Sequence, residues 1–260
     1  MTIGFIGTGN MGSALMTAMA SRYTLCACSR GQEKLQKICA ATGAAPMADA
    51  RAVAAASDMV ILAVKPYIIP DVLQQLAGNI RPETLVVSVA VGLPISSYEA
   101  VLGSSVKIVR TMPNTPAAVG AGVTAFCCNA SCTDEDRAAV HAAFGTAGLV
   151  EELPEHLMGA VSALTGSSPA YICMLIEAMA DAGVCQGIPR AQATRMAAQA
   201  VRGTAQLVLD SGKHPEQLKD EVCSPGGTTI RGVAALEQRG FRGAILDALN
   251  ICGEAAKDKR

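Results

Sequence analysis

The chain has 260 residues, of which 50% are hydrophobic and 17% are charged, so it can bury a large core. Its net charge is −1 and its Lys and Arg residues form no cluster, which argues against binding to nucleic acid or to an anionic membrane. Only 3% of the residues are aromatic, so aliphatic side chains and methionines must fill the core.

The spacing of the ten cysteines argues against a metal site or a disulfide framework. Cys26 and Cys28 alternate along a predicted strand, and Cys127, Cys128 and Cys132 contain no C-x-x-C pair. We therefore expect no metal, and small buried thiols in a reducing compartment. No stretch reaches the ~18 apolar residues of a membrane span, and a strand begins where a targeting segment would lie, so the sequence predicts a cytoplasmic protein.

The first motif is a G-x-G-x-x-G loop at Gly7–Gly12, which follows an apolar strand, Ile3–Ile6, and opens a helix that continues over Ser13–Ala20. In this context the first glycine allows a tight turn, the second lets a pyrophosphate approach the backbone, and the third lets the helix pack on the strand. The N–H groups that open the helix would face the phosphates. A plain tight turn is the alternative. The expected cofactor contacts here are Gly7, Gly9, Asn10, Met11 and Gly12.

The segment after the second strand, Thr24–Cys28, indicates which dinucleotide binds. Roughly 20 residues beyond the loop, an NAD-binding chain carries Asp or Glu to bind the ribose 2′-hydroxyl. Here Ser29 and Arg30 occupy that place, and a hydroxyl with a guanidinium suits a 2′-phosphate. NADP(H) is therefore expected, with NAD(H) possible at lower affinity. The alternative is that Arg30 is a solvated loop charge.

Two later strands also end in candidate contacts. Met59–Val64 is an unbroken apolar run typical of a central parallel strand, and Lys65 follows it, either as a ribose or phosphate contact or as a surface charge. Lys107–Arg110 leads into Met112–Pro116, a rigid loop with two prolines. Asn114 and Thr115 on this loop suit orienting a nicotinamide or a substrate, although a structural turn explains them as well.

Strands alternate with helices up to residue 153, which predicts an α/β fold: an N-terminal doubly wound Rossmann domain at residues 1–153. Gly122–Cys128 is predicted as an antiparallel edge strand, and Leu149–Glu151 closes the sheet. Residues 154–260 contain no further strand and are predicted as an all-helical domain. Because this domain is small and rich in apolar helix, we expect it to form a dimer. Its predicted helices cover Leu157–Thr165, Ala170–Ala182, Pro189–Leu209, Pro215–Val222, Thr228–Arg239 and Gly240–Cys252.

One stretch of the helical half, Ser224–Ile230, has the composition of an anion site. A proline and two glycines precede a helix that starts near Thr228, and three hydroxyls flank them. A carboxylate fits these free N–H groups and hydroxyls. The alternative is an interhelical connector with Thr as the N-cap.

Titratable groups limit the chemistry. No Lys lies between Lys107 and Lys213, and none of the three histidines lies near a glycine loop in sequence. His214 precedes Pro215 and is expected to mark the start of a helix. Hydroxyls and backbone N–H groups suffice for hydride addition to an electrophilic C=N bond, whereas reduction of a ketone usually needs a stronger acid.

Together, these motifs and their order resemble those of the pyrroline-5-carboxylate reductases. The resemblance runs from Ile3 to about Cys252 and is most specific over His214–Asp220 and Cys223–Ile230. It also covers Phe5–Gly12 and the strand ends, where we expect further cofactor contacts from Ala63, Val64, Lys65 and Pro66.

The resemblance implies reduction of L-1-pyrroline-5-carboxylate to L-proline by NAD(P)H, the last step of proline biosynthesis. It implies that Ser224 and the N–H groups of Gly227 and Thr228, in the loop with Gly226, hold the substrate carboxylate, and that Thr229 helps to protonate the ring nitrogen. It also implies a homodimer whose helical domains interlock. The sequence does not distinguish a dimer from a larger ring of dimers. Some family members bind the 2′-phosphate through an Asn that this chain lacks, so Arg51 is a candidate substitute.

Two alternatives have a similar architecture or fold. A β-hydroxyacid dehydrogenase would carry a catalytic Lys on the long interdomain helix, and the Lys-free span counts against it. A non-catalytic NADP-sensing dimer would not need the intact loop at Ser224–Thr229.

Overall fold

The computed structural model describes residues 1–257. Its strands are, in chain order, β1 Thr2–Ile6, β2 Thr24–Cys28, β3 Ala45–Pro46, β4 Met59–Leu62, β5 Leu85–Ser88, β6 Lys107–Pro113, β7 Gly122–Cys128 and β8 Gly148–Glu152. They form one sheet in the order β3-β2-β1-β4-β5-β6-β7-β8. Neighbours are parallel except β6 and β7. The strand order reverses between β1 and β4, which is the switch point where ligands bind in such sheets.

The helices are α1 Asn10–Met19, α2 Gln32–Thr42, α3 Ala50–Ala56, α4 Ile69–Leu76, α5 Ile95–Leu102, α6 Asp134–Phe144, α7 Met158–Val161, α8 Ser168–Cys185, α9 Arg190–Ser211, α10 Pro215–Val222, α11 Thr228–Gln238 and α12 Phe241–Lys257. Helix α1 begins at Asn10 rather than at the predicted Ser13, because the glycine loop itself provides the N-cap, Gly9.

Helices cover both faces of the sheet. Along β4, Met59 and Ile61 join one buried cluster, with α1, α2 and α6. Val60 and Leu62 point the other way and join a second cluster, with α3, α4 and α5. This alternation follows from the two-residue period of a strand, and the absence of polar residues in the run follows from burial on both faces. The predicted doubly wound Rossmann fold followed by helices is confirmed.

Two details of the sheet differ from the prediction. Gly122–Cys128 is antiparallel to β6 as expected, but it is not an edge strand, since β8 pairs with its other side. The opposite edge is β3, two residues long and ended by Pro46, which the sequence pattern did not reveal. A strand this short has too few residues to show a periodicity of two.

The described chain divides into two units. One comprises Met1–Gly166 with residues 252–257, and the other comprises Ser167–Ile251. The boundary predicted after residue 153 lies before the division that the structure shows after Gly166. The first helical turns belong with the sheet, because Met158 and Val161 are buried in its second cluster. The predicted second domain runs to Arg260, and residues 258–260 lie outside the described part.

The segment after Pro154 is helical without a break. A 3-10 turn at Glu155–Leu157 leads through α7 and a π-helical segment, Ser162–Ser167, into α8. The two helices predicted here are therefore one run, Glu155–Cys185. By length and composition alone this run could cross a membrane, and only 11% of its most apolar window is buried. Those criteria are weak evidence for a membrane span, since an unpartnered interface helix meets them equally.

Within the described residues the ten cysteines form no disulfide, and five of them are buried, which agrees with the expectation of small buried thiols. Cys173 and Cys185 are exposed on α8, so for these two the expectation is wrong in the single chain. Cys128 differs from the five buried cysteines, because a hydrogen bond with the Cys132 thiol and then one with Arg137 lower its pKa to about 7 against the effect of burial.

Candidate functional site

Steric contact explains two of the glycines in the first loop. Gly7 has φ +105°, and a Cβ there would lie 2.6 Å from the carbonyl oxygen of Ala63 and 2.8 Å from Cγ1 of Val64. A Cβ on Gly12 would lie 2.4 Å from the carbonyl oxygen of Gly7. The chain therefore turns tightly from β1 into α1, and the start of α1 touches the end of β4.

Gly9 is different, because a Cβ there would meet no atom within 4 Å. The residue is exposed and is the N-cap of α1, without a side-chain cap hydrogen bond. Asn10 beside it is also exposed. Open space in front of uncapped helix N–H groups fits the phosphates of a dinucleotide.

The end of β2 lies against this loop, since the Gly7 N–H donates to the carbonyl oxygen of Cys28 at 2.8 Å. Ser29 and Arg30 come directly after Cys28, and Arg30 is exposed. The structure therefore brings the two residues expected to bind a 2′-phosphate to the same edge of the sheet as the glycine loop.

Asp49 lies near the end of β2, and the sequence alone did not indicate that it belongs to this site. Burial raises the pKa of the Cys28 thiol to about 11, and the nearby Asp49 carboxylate contributes to the rise. One oxygen of Asp49 caps α3 by accepting the Ala52 N–H at 2.8 Å. In the sequence Asp49 precedes the residues of α3, and an Asp in that place is typical of an N-cap residue. Arg51, the candidate substitute for a 2′-phosphate contact, instead donates from Nε to the carbonyl oxygen of Gln75 at 3.3 Å.

The end of β4 adjoins the loop from the other side. The Ala63 N–H donates to the carbonyl oxygen of Ile6 at 2.9 Å, which continues the β1–β4 ladder to the start of the loop. Lys65 and Pro66 are exposed just beyond, where a 3-10 turn begins. No ion pair of Lys65 occurs within the part of the chain that the structure describes. Its ammonium is therefore free to meet an anion.

Asn114 is buried and both ends of its amide are engaged. Its Oδ1 accepts the Val123 N–H at 2.8 Å, and its Nδ2 donates to the carbonyl oxygen of Thr165 at 3.0 Å. The side chain thus ties the loop after β6 to β7 and to the π-helical segment. This geometry favours the structural alternative for Asn114, whereas Thr115 is exposed.

A cavity of about 320 Å³ lies beyond the ends of β5 and β6. At its wall the Arg110 guanidinium pairs with the Glu155 carboxylate at 3.0 Å, and the same carboxylate accepts the Ile95 N–H at 2.7 Å. Glu155 therefore caps α5, which has no side-chain cap of its own, and ties the 3-10 turn at Glu155–Leu157 to the sheet. The sequence interpretation missed the pair, because its members are 45 residues apart and neither lies in a glycine motif. The lining residues are Ala90, Val91, Gly92, Pro94, Arg110, Thr111, Met112, Glu155, His156, Met158, Gly159 and Ser162.

The second glycine loop, in the other unit, also ends at an open helix N-terminus. The Gly227 N–H donates to the carbonyl oxygen of Ser224 at 3.0 Å, and Gly226 has φ +72°. A Cβ on Gly227 would lie 2.4 Å from the Ser224 hydroxyl, so a side chain there would push that hydroxyl out of its position. The N-cap of α11 is Gly227, without a side-chain cap, which corrects the alternative that a Thr caps this helix. Thr228 and Thr229 open the helix and are exposed.

Ion pairs hold the helices around this loop. Glu216 on α10 accepts from Lys219 at 2.6 Å and also pairs with Arg242 on α12. Arg242 in turn donates to Glu237 on α11 at 2.6 Å. The hydrogen bond from Lys219, then that from Arg242, lowers the pKa of Glu216 to about 2. As predicted, His214 is a helix entry, since its Nδ1 accepts the Glu216 N–H at 3.3 Å.

Comparison with known proteins identifies the family of the chain. Residues 155–259 match the model for pyrroline-5-carboxylate reductase dimerisation, and residues 2–92 match that for NADP oxidoreductase, coenzyme F420-dependent. The pyrroline-5-carboxylate reductase of Escherichia coli K12 is 44% identical over 98% of this chain and 97% of its own length. The chain belongs to the pyrroline-5-carboxylate reductase family.

Solved pyrroline-5-carboxylate reductases have the same fold along the whole chain. The enzyme from Coxiella burnetii is 32% identical and superposes with a TM-score of 0.93, covering 99% of this chain and 97% of its own. The Plasmodium falciparum pyrroline carboxylate reductase, solved with NADP bound, is 32% identical with a TM-score of 0.88 over 99% of this chain and 97% of its own. Membership in the family makes the chain an oxidoreductase.

Proposed function

We propose that the chain reduces the C=N bond of L-1-pyrroline-5-carboxylate to give L-proline, with NADPH as the preferred cofactor and NADH as a weaker one. The observation that carries this proposal is the loop at Ser224–Thr229, where uncapped N–H groups and three hydroxyls meet at the start of α11. A carboxylate is the anion of matching size, and the substrate carries one beside its C=N bond.

NADPH supplies the hydride when it is bound. The open N–H groups at Gly9–Gly12 hold its pyrophosphate, and Ser29 with Arg30 holds its 2′-phosphate. Lys65 adds a positive charge at the end of β4. These contacts bind and orient the cofactor, so the chemistry needs no metal from this chain.

At the second loop the Ser224 hydroxyl and the Thr228 N–H donate to the substrate carboxylate. The Gly227 N–H joins them only when it turns from the Ser224 carbonyl oxygen, to which it donates in the free chain. The Thr229 hydroxyl lies one residue further into α11 and donates to the ring nitrogen. As the neighbouring carbon accepts the hydride, the hydroxyl passes a proton to the nitrogen and takes one from solvent, to which Thr229 is exposed. Gly227 is required here because a side chain would displace the Ser224 hydroxyl.

Apolar exposure supports a homodimer through the helical unit. Large apolar side chains on α8 and α9 are exposed in the single chain, and clustered exposed apolar residues are typical of protein interfaces. They include Ile172, Met174, Leu175, Met179, Met196, Leu207 and Leu209. The family model that matches residues 155–259 is itself one of dimerisation. We further place the dimer in the cytoplasm, as the sequence predicts, and a sedimentation mass would decide between it and a ring of dimers.

The decisive experiment follows NADPH absorbance in the presence of pyrroline-5-carboxylate. We expect substrate-dependent oxidation, with proline as the product and slower turnover with NADH. A β-hydroxyacid with NADP+ serves as the control for the dehydrogenase alternative. Absence of turnover with the imine, or faster turnover with the hydroxyacid, would contradict the proposal.

A further inference from the structure

One buried polar group in the first glycine loop lacks a partner. Thr8 is only 3% exposed, and its hydroxyl is the single buried side-chain N or O atom without a hydrogen bond in the part of the chain that the structure describes. A buried hydroxyl with no partner is unfavourable and rare in native structures. Its position in this particular loop therefore requires an explanation.

Two other buried threonines of the same unit have hydrogen-bonded hydroxyls. The Thr84 hydroxyl donates to the carbonyl oxygen of Ser57 at 3.3 Å, and the Thr111 hydroxyl donates to that of Ser88 at 2.9 Å. The loop is also closed without the Thr8 hydroxyl, since the Ser13 hydroxyl donates to the Thr8 carbonyl oxygen at 3.1 Å. The Thr8 hydroxyl thus contributes no hydrogen bond to the fold of the free chain.

The surroundings of Thr8 indicate what the partner is. Thr8 lies between Gly7 and Gly9. Gly7 packs tightly against the end of β4, whereas a Cβ on Gly9 would meet no atom within 4 Å. The uncapped N-terminus of α1 opens on that same side. A pyrophosphate bound at this helix N-terminus would present acceptor oxygens to the loop of which Thr8 is a part. Rotation about the Cα–Cβ bond between staggered positions is the motion available to direct the hydroxyl towards them.

We propose that Thr8 is a cofactor-binding residue whose hydroxyl donates to a pyrophosphate oxygen of the dinucleotide and gains its first hydrogen bond on binding. This inference rests on the proposed function, because it requires a dinucleotide at the first loop. A side-chain donor is thereby added to the backbone N–H groups of that loop. The cost of the unsatisfied Thr8 hydroxyl in the free protein is removed when the dinucleotide binds.

Thr8→Val tests the proposal because it should weaken cofactor binding without lowering the stability of the free protein. Valine keeps the shape and removes the hydroxyl, so the Tm of the free protein should stay the same or rise, since an unsatisfied group is removed. The Kd for NADP+, measured by calorimetric titration, should rise roughly ten- to hundredfold, as for loss of a hydrogen bond to a charged group. Thr8→Ser keeps the hydroxyl and should bind NADP+ within about threefold of the wild type.

Thr84→Val is the matched control, because Thr84 is equally buried but its hydroxyl is bonded. It should lower the Tm of the free protein and leave the Kd for NADP+ unchanged. Adenosine 2′-monophosphate, which lacks the pyrophosphate, should bind the wild type and Thr8→Val alike.

The outcomes separate the inference from the function beneath it. If Thr8→Val lowers the Tm as Thr84→Val does and binds NADP+ as tightly as the wild type, the hydroxyl has a partner in the free protein, such as an ordered water, and the inference is wrong. If Thr8→Val weakens adenosine 2′-monophosphate as much as NADP+, the contact is not with the pyrophosphate. If the wild type itself fails to bind NADP+, the proposed cofactor is wrong and the inference falls with it.

Discussion

A side chain on Gly7 would come within 2.6 Å of the carbonyl oxygen of Ala63, so the loop after β1 and the end of β4 meet backbone to backbone. Gly7 also has φ +105°, a conformation that strains any other residue. Gly9, two residues later, has neither constraint, because the space beside it is open. The two glycines therefore serve the fold and the ligand separately.

Substitution by alanine should distinguish these two roles. Gly7→Ala should destabilise the protein by ~1–3 kcal/mol or more, since both the backbone strain and the clash must be relieved. Gly9→Ala should leave the Tm unchanged and raise the Kd for NADP+ by about tenfold or more, because its methyl group occupies ligand space. Thermal unfolding and calorimetric titration measure both effects. A stable Gly7→Ala variant would show that the loop is looser than the contact implies.

Arg30 should decide between NADPH and NADH. Arg30→Ala should raise the KM for NADPH roughly ten- to hundredfold, as for loss of a charge-assisted contact, and change the KM for NADH little. Arg22→Ala removes an exposed arginine of the same unit and should change neither KM. Equal effects of Arg30→Ala on both cofactors would refute a role with the 2′-phosphate.

Asp49 should oppose that preference, because it places a carboxylate near the end of β2. Asp49→Asn removes the charge but keeps a good cap for α3, so stability should hold while the KM for NADPH falls roughly threefold to tenfold relative to that for NADH. Asp49→Ala is the control, since it removes the cap as well and should cost ~1 kcal/mol of stability. An unchanged ratio of the two KM values in Asp49→Asn would mean that the carboxylate lies too far from the 2′-phosphate to repel it.

The sequence predicted the parts of the site that local patterns encode. Strand, glycine turn and helix follow one another in a short stretch, so the loop at Gly7–Gly12 and its place at the switch point were predictable. The loop at Ser224–Thr229 was visible for the same reason. The sequence did not reveal the pair of Arg110 and Glu155 or the proximity of Asp49 to Cys28, since these contacts form only when distant segments meet.

The differences in the fold have a similar origin. Gly122–Cys128 looked like an edge strand because an antiparallel neighbour gives no sign of what pairs on its other side. Asn114 looked equally suited to a ligand or a turn, and only the bonds to Val123 and Thr165 favour the turn. Local sequence specifies which groups are polar and where the chain turns, whereas tertiary pairing decides which of them remain free.

Thr229 should affect turnover more than binding. Thr229→Ala should lower kcat by roughly 10- to 100-fold, the expected cost of losing one proton-delivery contact, with a smaller change in KM for pyrroline-5-carboxylate. Thr229→Ser keeps the hydroxyl and should restore most of the activity. Steady-state kinetics on the three proteins tests this, and an Ala variant as fast as the wild type would remove Thr229 from the mechanism.

Glu216 should make the helical unit sensitive to acid. Its folded-state pKa of about 2 lies below the ordinary 4.5, so it contributes stability above pH ~4.5 that is lost as the pH falls towards 2. Glu216→Gln should therefore be less stable than the wild type at pH 7, and the difference should vanish between these pH values. Because the pair with Arg242 is partly exposed, salt should also reduce the difference. A double-mutant cycle with Arg242→Ala, followed by chemical unfolding at pH 7 and pH 3, measures the coupling, and a coupling that is equal at both pH values would contradict the assignment of the acid sensitivity to this ion pair.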